Sequence, residues 1–266
     1  MGMWALLRPG PNYSFAKVVL ILFLSAGCLV SLFFGLQAYL HYLKVQSESH
    51  PIRGIVQAAT DSPSIPTEFF AEVLDLSVDE PTYLNRFSIK EGIEKILGTH
   101  LIRQAILQKI PPDLLYLEYE MREPVAYLGD YSHTAIDEQG LLFPTIPLNS
   151  TKKLPRVFLG KHVSEEPWGT AMRGEEVKIL RDLRASCKEE ELASIDLSKL
   201  EAQTFGKREI LLVFTRGNTL RLTPKNYLKE IDCYGKLKAL LQEKEGSWIV
   251  DLRIPHMAFL QETDDE

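Results

Sequence analysis

The sequence contains few of the residues and patterns on which catalysis, metal binding or a disulfide scaffold would depend. Its 266 residues include only three cysteines and six histidines. They show neither a Cys-x-x-Cys nor a His-Glu-x-x-His spacing. A phosphate-binding glycine loop and a Gly-x-Ser-x-Gly sequence are also lacking. We therefore expect no enzyme activity, no cofactor, no metal and no small-molecule substrate.

Two pairs of residues remain to be considered for chemistry. Asp137 and Asp251 are candidates for paired carboxylates, but each follows a strand, where an aspartate usually bonds to its own backbone. Cys187 and Cys233 form a disulfide only in an oxidising compartment, and the sequence leaves that pairing open. The net charge of −6 and the lack of a basic stripe with interleaved aromatics argue against nucleic acid as a partner.

Charge is also lacking from one long segment near the N-terminus. Val18–Leu40 has no Lys, Arg, Asp or Glu, and a helix of this length spans about 35 Å, enough for a hydrocarbon core of about 30 Å. A cleavable signal peptide has an apolar core of only about 7–15 residues. Ser25–Cys28 loosely matches a lipoprotein cleavage signal, but the apolar residues continue after it. The segment is predicted to be an uncleaved transmembrane helix that contacts membrane lipid.

The distribution of charge favours one orientation of this helix. Residues 1–17 carry Arg8 and Lys17 and no acid, whereas all 36 acidic residues follow the helix. The basic residues close to the membrane are nearly balanced between the two sides, with Lys44 and Arg53 beyond the helix. A short basic tail before a large acidic portion predicts a cytoplasmic N-terminus.

The residues that follow the helix predict a small α+β unit. Apolar alternation indicates strands, and apolar residues at helical spacing between caps and glycine indicate helices. We expect a strand, two helices and two strands, giving a three-stranded sheet with both helices on one face. The predicted elements are Ile52–Val56, a helix capped by Ser64 or Thr67 and ending at Leu74, Ile89–Leu97, Leu101–Lys109 and Leu114–Arg122.

From Val125 onward the pattern changes to short strands with two further helices. The sequence predicts a mixed β-domain flanked by helices, so the fold class is α+β with one N-terminal transmembrane helix. Thr223 and Pro224 are predicted to begin the last helix. The predicted elements are Val125–Leu128, His133–Ile136, Leu141–Phe143, Leu154–Leu159, Glu175–Cys187, Ile195–Leu197, Glu209–Phe214, Thr219–Leu222, a helix from Thr223 to Gly246, Trp248–Leu252 and Pro255–Gln261.

In three stretches, at Ile110–Ala126, Ala135–Phe143 and Ile249–Arg253, the chain resembles the FtsQ/DivIB family of bacterial cell-division proteins. Ile110–Ala126 is similar to the family's segment in which a proline turn leads into a strand ending in Glu-Arg-x-Pro-Val-Ala. Ala135–Phe143 resembles its Ile-Asp-x-x-Gly-x-x-Phe hairpin, and Ile249–Arg253 resembles its Asp-Leu-Arg sequence near the end. The order and spacing of the three stretches match across residues 18–260.

The resemblance implies a domain organisation, a location and a role. It implies a cytoplasmic tail at 1–17, a membrane helix, a POTRA domain (β-α-α-β-β) at 51–124, a β-domain at 125–260 and an acidic tail at 261–266. It places a single-pass protein at the division site of the bacterial inner membrane, with its C-terminal domains outside the cytoplasm. It also implies a scaffold of the septal assembly that binds FtsB/DivIC-like and FtsL-like coiled-coil proteins.

In this family the last strand of the β-domain pairs with those partners. A final strand often forms a sheet edge, which offers unpaired backbone groups to an incoming strand. Carried onto this chain, the partner-binding residues are Arg253, Ile254, Pro255, His256, Met257, Ala258, Phe259 and Leu260. We expect Ile254, His256, Ala258 and Leu260 on one face, Met257 and Phe259 on the other, and Pro255 at the edge.

Of these residues, the backbone edge with Arg253 and Ile254 is the expected contact. Two other functions stay open. One is a membrane-anchored POTRA-type chaperone or secretion adaptor, which also works by strand addition. The other is a membrane-anchored wall hydrolase, for which the sequence offers no clustered catalytic residues.

Overall fold

The computed structural model begins with one long helix. It describes residues 15–60, 64–147, 153–160, 167–187, 191–204, 206–242 and 246–263. Helix α1 spans Phe15–Ser49 and includes both Val18 and Leu40. Within it, Leu22–Leu43 is long and apolar enough to cross a membrane, and this segment is exposed. Among the described residues, this N-terminal helix is thus the one that could serve as a single membrane anchor.

The predicted order of the next five elements is confirmed. Along the third strand, β3 (Leu114–Met121), the apolar residues alternate, and Leu115, Leu117 and Tyr119 are buried as expected. The ring of Phe70, from α2, lies 4.8 Å from that of Tyr119. The three strands form a sheet in the order β1-β3-β2. The elements are β1 (Gly54–Ala59), α2 (Thr67–Val73), α3 (Ile89–Gly98), β2 (Ile102–Ile110) and β3 (Leu114–Met121).

The start of α2 differs from the prediction. Its N-cap residue is Pro66, with φ −55° and no side-chain hydrogen bond to the helix, so neither Ser64 nor Thr67 caps it. The peptide before the helix is held instead by other side chains. The Ile65 amide donates to the Tyr119 hydroxyl (2.9 Å), and the Gln57 side-chain amide donates to the Ile65 carbonyl (2.9 Å).

By their internal contacts the residues group into two compact units. The first contains α1 and the chain up to Val56, with Leu76–Ile89 and Gln108–Tyr116. The second contains Gln57–Asp75, Lys90–Leu107 and everything from Leu117 onward. The candidate site described below belongs to the second unit.

A nine-stranded mixed sheet dominates the second unit. Its strand order is β12-β11-β10-β9-β8-β7-β4-β5-β6. The pairs β4–β7, β7–β8 and β10–β11 are parallel, and the others are antiparallel. The strands are β4 (Ala126–Leu128), β5 (Thr134–Ile136), β6 (Leu142–Pro144), β7 (Arg156–Phe158), β8 (Leu192–Asp196), β9 (Ile210–Phe214), β10 (Thr219–Leu222), β11 (Ser247–Asp251) and β12 (Phe259–Thr263).

Helices α4 (Gly174–Ser186) and α5 (Tyr227–Gln242) contribute further core residues to this unit. Their inward residues join the buried strand residues in one hydrophobic cluster. The two helices are also linked directly, because the Tyr227 hydroxyl donates to Asp182 Oδ2 at 2.6 Å. Burial and the Asp182 carboxylate raise the pKa of Tyr227 to about 12.

Helix α5 begins later than predicted, and its buried stripe matches the prediction at Ile231, Tyr234 and Leu241 but not throughout. Pro224 lies in a turn, and the helix starts at Tyr227. The turn is stabilised by the Glu230 carboxylate, which accepts hydrogen bonds from the Thr223 amide (2.7 Å) and hydroxyl (2.6 Å). Tyr227 is buried, whereas Leu228 and Leu240, expected in the buried stripe, are exposed.

Candidate functional site

The last strand, β12, forms one edge of the nine-stranded sheet. It pairs with β11 alone, and all five of its residues are exposed. The predicted edge position of the terminal strand is therefore confirmed for the sheet that the structure describes. The strand extends to Thr263, three residues beyond the predicted end of the β-domain, and 264–266 of the predicted acidic tail lie outside the described residues.

The predicted partner-binding segment is only partly a strand. Of Arg253–Leu260, only Phe259 and Leu260 belong to β12. Pro255 and His256 form a turn, in which His256 has φ +63° and the Met257 amide donates to the Ile254 carbonyl (3.2 Å). The predicted alternation of faces is therefore wrong for residues 254–258. The error arises because Pro255 fits a turn as well as an edge strand.

Hydrogen bonds on either side of β11 show which backbone groups of β12 point outward. The amides of Trp248 and Leu252 donate towards β10, to Asn218 Oδ1 and to the Arg221 carbonyl. The backbone N–H and C=O groups of successive residues in a strand point to opposite sides. Those of Ser247, Ile249 and Asp251 therefore point towards β12. There these three residues lie opposite Thr263, Gln261 and Phe259. The N–H and C=O groups of Leu260 and Glu262 therefore point away from the sheet.

An apolar surface lies next to this free backbone. Ile254, Met257, Phe259 and Leu260 are between 43% and 56% exposed. Leu260 lies directly opposite Val250, which belongs to the core that α5 covers, so Leu260 is on the helix side of the sheet. Large exposed side chains in one place are typical of an interaction surface.

On that side a groove of about 600 Å³ separates α5 from the connection between β11 and β12. One wall comes from the outer face of α5, where Cys233 is flanked by Lys229 and Lys236, and all three are exposed. The other wall comes from Leu252 and from the connection. The lining residues are Asn226, Lys229, Glu230, Cys233, Lys236, Leu237, Leu252, Ile254, Pro255, His256, Met257 and Ala258.

The opposite edge of the sheet is covered. The outer side of β6 is occupied by residues 169–172. The Leu142 amide donates to the Thr170 carbonyl and the Gly169 amide to the Leu142 carbonyl, both at 2.8 Å. The Met172 amide also donates to the Gly140 carbonyl (2.8 Å). Proteins commonly cover sheet edges to prevent unwanted pairing, so the β12 edge stands out as the open one of the two.

Arg253, the first predicted contact residue, is turned inward. Its Nε–H donates to Asp251 Oδ1 (2.9 Å) and its Nη2–H to Oδ2 (2.6 Å), while Nη1 lies 3.1 Å from Glu209 Oε2. Glu209 is buried and also pairs with Lys199 (2.6 Å) and Arg221 (2.6 Å). These five residues, Lys199, Glu209, Arg221, Asp251 and Arg253, are called the charged cluster below.

The charged cluster controls the ionisation of its two acids. Burial disfavours ionised Glu209, but hydrogen bonds from Lys199 and Arg221 outweigh that effect and lower its pKa. Burial likewise opposes ionisation of Asp251, and the hydrogen bonds from Arg253 more than compensate, so its pKa is also lowered. The sequence motif at Ile249–Arg253 contains Asp251 and Arg253, but nothing local links them to Lys199, Glu209 and Arg221, because the members come from four separate segments.

The two candidate carboxylates act as structural side chains. Asp137 Oδ1 accepts the amides of Gln139 (2.9 Å) and Leu141 (2.8 Å), and its Oδ2 lies 2.7 Å from Arg122. Asp251 accepts the amide of Arg253 (3.1 Å). The interpretation that each aspartate bonds to its own local backbone is confirmed.

The two cysteines of the second unit, Cys187 and Cys233, do not form a disulfide. Cys187 is half-buried, Cys233 is exposed, and both are free thiols. Burial raises the pKa of the Cys187 thiol. In the described part of the chain, no group of three or more His, Cys, Asp or Glu side chains is placed to hold a metal.

No protein-family model matches the chain, and no curated protein sequence matches it.

Proposed function

We propose that this protein is a membrane-anchored scaffold of the bacterial cell-division assembly that binds its partners by strand addition at β12. The observation that carries the proposal is the open β12 edge, with the outward backbone of Leu260 and Glu262 beside an apolar groove. An added strand gains main-chain hydrogen bonds from the edge and side-chain selectivity from the groove. This mode of binding needs no cofactor and no catalytic residue.

The resemblance of Ile110–Ala126, Ala135–Phe143 and Ile249–Arg253 to the FtsQ/DivIB family supports the cellular role. The β-α-α-β-β order of β1 to β3 is the order that this family's POTRA domain has, and we assign residues 51–124 to such a domain. We place α1 in the inner membrane with the N-terminus in the cytoplasm. The sheets then face the compartment in which the septum forms.

The chemistry of the groove describes the partner. Its wall of Ile254, Met257 and Leu252 favours apolar side chains, and Lys229 and Lys236 favour carboxylates. We therefore expect a partner strand with apolar residues on the α5 side and acidic residues close by. FtsB/DivIC-like and FtsL-like coiled-coil proteins are the proposed source of this strand.

A proline substitution tests this mode of binding. Glu262→Pro removes an N–H group that points away from β11, so the sheet should keep its own hydrogen bonds. The partner should lose one main-chain bond and fit less closely, so that capture of the coiled-coil partners from solubilised membranes falls about tenfold. Glu262→Ala is the matched control, because it removes the same side chain and keeps the N–H group.

A third variant shows how damage to β12 itself differs from the loss of a hydrogen bond to the partner. Gln261→Pro removes an N–H group that points to β11, and it should loosen β12 itself. Strand addition predicts full capture by Glu262→Ala and weak capture by a folded Glu262→Pro variant. Equal capture by these two variants would reject strand addition at this edge.

A second candidate function, an envelope chaperone or secretion adaptor, is favoured by another strand edge. β2 has nine residues and lies at the edge of the three-stranded sheet, where Ile106 is 51% and Ile110 39% exposed. Such an edge suits a succession of extended clients. A fluorescent fusion separates the two functions: rings at mid-cell support the scaffold, and a uniform envelope signal supports the adaptor.

A further inference from the structure

We propose that Arg253 is a positioning residue, which holds the start of the β12 edge in place through its contacts inside the sheet. The inference rests on the proposed function, since it concerns how the same edge is kept ready for a strand. It assigns a role to the Asp251-Leu252-Arg253 sequence, which strand addition alone leaves unexplained.

The first support is the closed contact between Arg253 and Asp251. The carboxylate of Asp251, the last residue of β11, accepts both the amide of Arg253 and its guanidinium. Two charge-assisted bonds with near-parallel geometry are among the stronger polar contacts in proteins. They fix the direction in which the chain leaves β11.

The second support is the continuation of this contact into the sheet. Arg253 Nη1 reaches Glu209 and also donates to the Gly206 carbonyl (3.2 Å). Glu209 precedes β9, and Arg221, which binds Glu209 through Nε (2.9 Å) and Nη2 (2.6 Å), belongs to β10. Arg253 therefore joins the exit of β11 to the two strands behind it.

The third support is the lack of burial after Arg253. Residues 254–258 are all exposed, and so are the residues of β12. Leu252, which is buried and donates to the Arg221 carbonyl (3.1 Å), and Arg253 are therefore the nearest anchored residues before β12. Release of the guanidinium would leave the connection and the first residues of the edge less constrained.

Hydrogen exchange of the full-length protein in detergent tests the inference without any partner. In Arg253→Ala, exchange in peptides covering 252–263 should rise about tenfold, because charge-assisted hydrogen bonds are lost there. Exchange in β9 and β10 should stay close to wild type. Arg253→Lys, which keeps the charge, should recover part of the protection, and Arg216→Ala, a change at an exposed arginine, should have no effect.

Capture of the coiled-coil partners is then measured on the same variants. If Arg253 positions the β12 edge, the variants that lose more protection from hydrogen exchange should also capture less of the partner. Wild-type exchange in Arg253→Ala together with lost capture would make Arg253 a direct contact and would overturn the inference while leaving strand addition intact. A rise of exchange throughout β9–β12 would make its role one of general stability and would also overturn it. Failure of the wild-type protein to capture any partner would count against the proposed function alone.

Discussion

Val250 and Leu260 lie directly opposite each other across β11 and β12, yet Val250 is fully buried and Leu260 is 43% exposed. Directly opposed residues of an antiparallel pair share one face of the sheet. The hydrophobic core beneath α5 therefore continues to the edge of the sheet, where it is exposed to solvent. An apolar side chain from an added strand would extend the same layer by one position.

The exposed side chain of Ile254 gives the first prediction. Ile254→Lys should weaken capture of the proposed coiled-coil partners at least about tenfold, because it places a charge in the apolar wall of the groove, across from Lys229 and Lys236. Since Ile254 is 49% exposed, the free energy of unfolding should change by less than about 0.5 kcal/mol. Capture from solubilised membranes and thermal unfolding measure the two effects.

Leu240→Lys is the matched control for that variant. Leu240 is 61% exposed on α5 and does not line the groove. The control should bind like the wild type. Undiminished capture by a folded Ile254→Lys protein would remove Ile254 from the binding surface.

The charged cluster predicts sensitivity to acid. Glu209 and Asp251 have pKa values below their ordinary values of 4.5 and 3.8, so they stabilise the fold above that range and lose the contribution as the pH falls through it. Glu230 acts in the opposite direction: burial raises its pKa, and it favours the fold in its protonated form. Denaturant unfolding should show a stability that declines below about pH 5.

Glu209→Gln provides the check on this assignment. The variant should be less stable than wild type at pH 7, because Lys199, Arg221 and Arg253 lose a shared partner. Its stability should also change less between pH 5 and pH 3. The same acid dependence in wild type and variant would show that other groups cause it.

The contact between Arg122 and Asp137 predicts a large local contribution to stability. Their side chains are only 17% and 9% exposed, and Asp137 also accepts two backbone amides. Asp137→Ala should lower the free energy of unfolding by about 2–4 kcal/mol, since it leaves several donors without an acceptor. Glu94→Ala, which breaks the exposed pair with Lys90, should cost less than about 0.5 kcal/mol. Equal effects in chemical denaturation would contradict the reading of Asp137 as a buried turn anchor.

Of the two cysteines outside helix α1, Cys233 lines the groove and Cys187 does not. In a Cys28→Ser background, maleimide should label the exposed Cys233 at least about tenfold faster than Cys187, whose burial raises its thiol pKa. A bound partner should slow the labelling of Cys233 and leave Cys187 unchanged. Mass spectrometry of the labelled peptides measures both rates. Partner binding without protection of Cys233 would place the partner away from the groove.

Local pattern was sufficient to predict most of the elements. The alternation of Leu115, Leu117 and Tyr119 gave the face of β3, and the uncharged Val18–Leu40 segment gave the apolar helix. These signals are local, because a strand or helix repeats its burial every two or about 3.6 residues. The edge position of the last strand also followed from its place near the end of the domain.

Features that depend on distant residues were missed. The sequence does not reveal that Glu209 and Gly206 lie beside Arg253. The sequence also does not reveal that Glu230, seven positions after the threonine expected to cap α5, bonds to that threonine in the turn before the helix. At Pro255–His256 the structure has a turn where the sequence predicts a strand, because a proline is compatible with a turn and with an edge strand.

The amide exchange of β12, measured with and without bound partner, tests strand addition most directly. In the free protein the amides of Phe259 and Gln261 should be protected by β11, and those of Leu260 and Glu262 should exchange fast. On binding of a coiled-coil partner, the amides of Leu260 and Glu262 should become protected as well. A complex in which these two amides still exchange at the rate of the free protein would contradict the account.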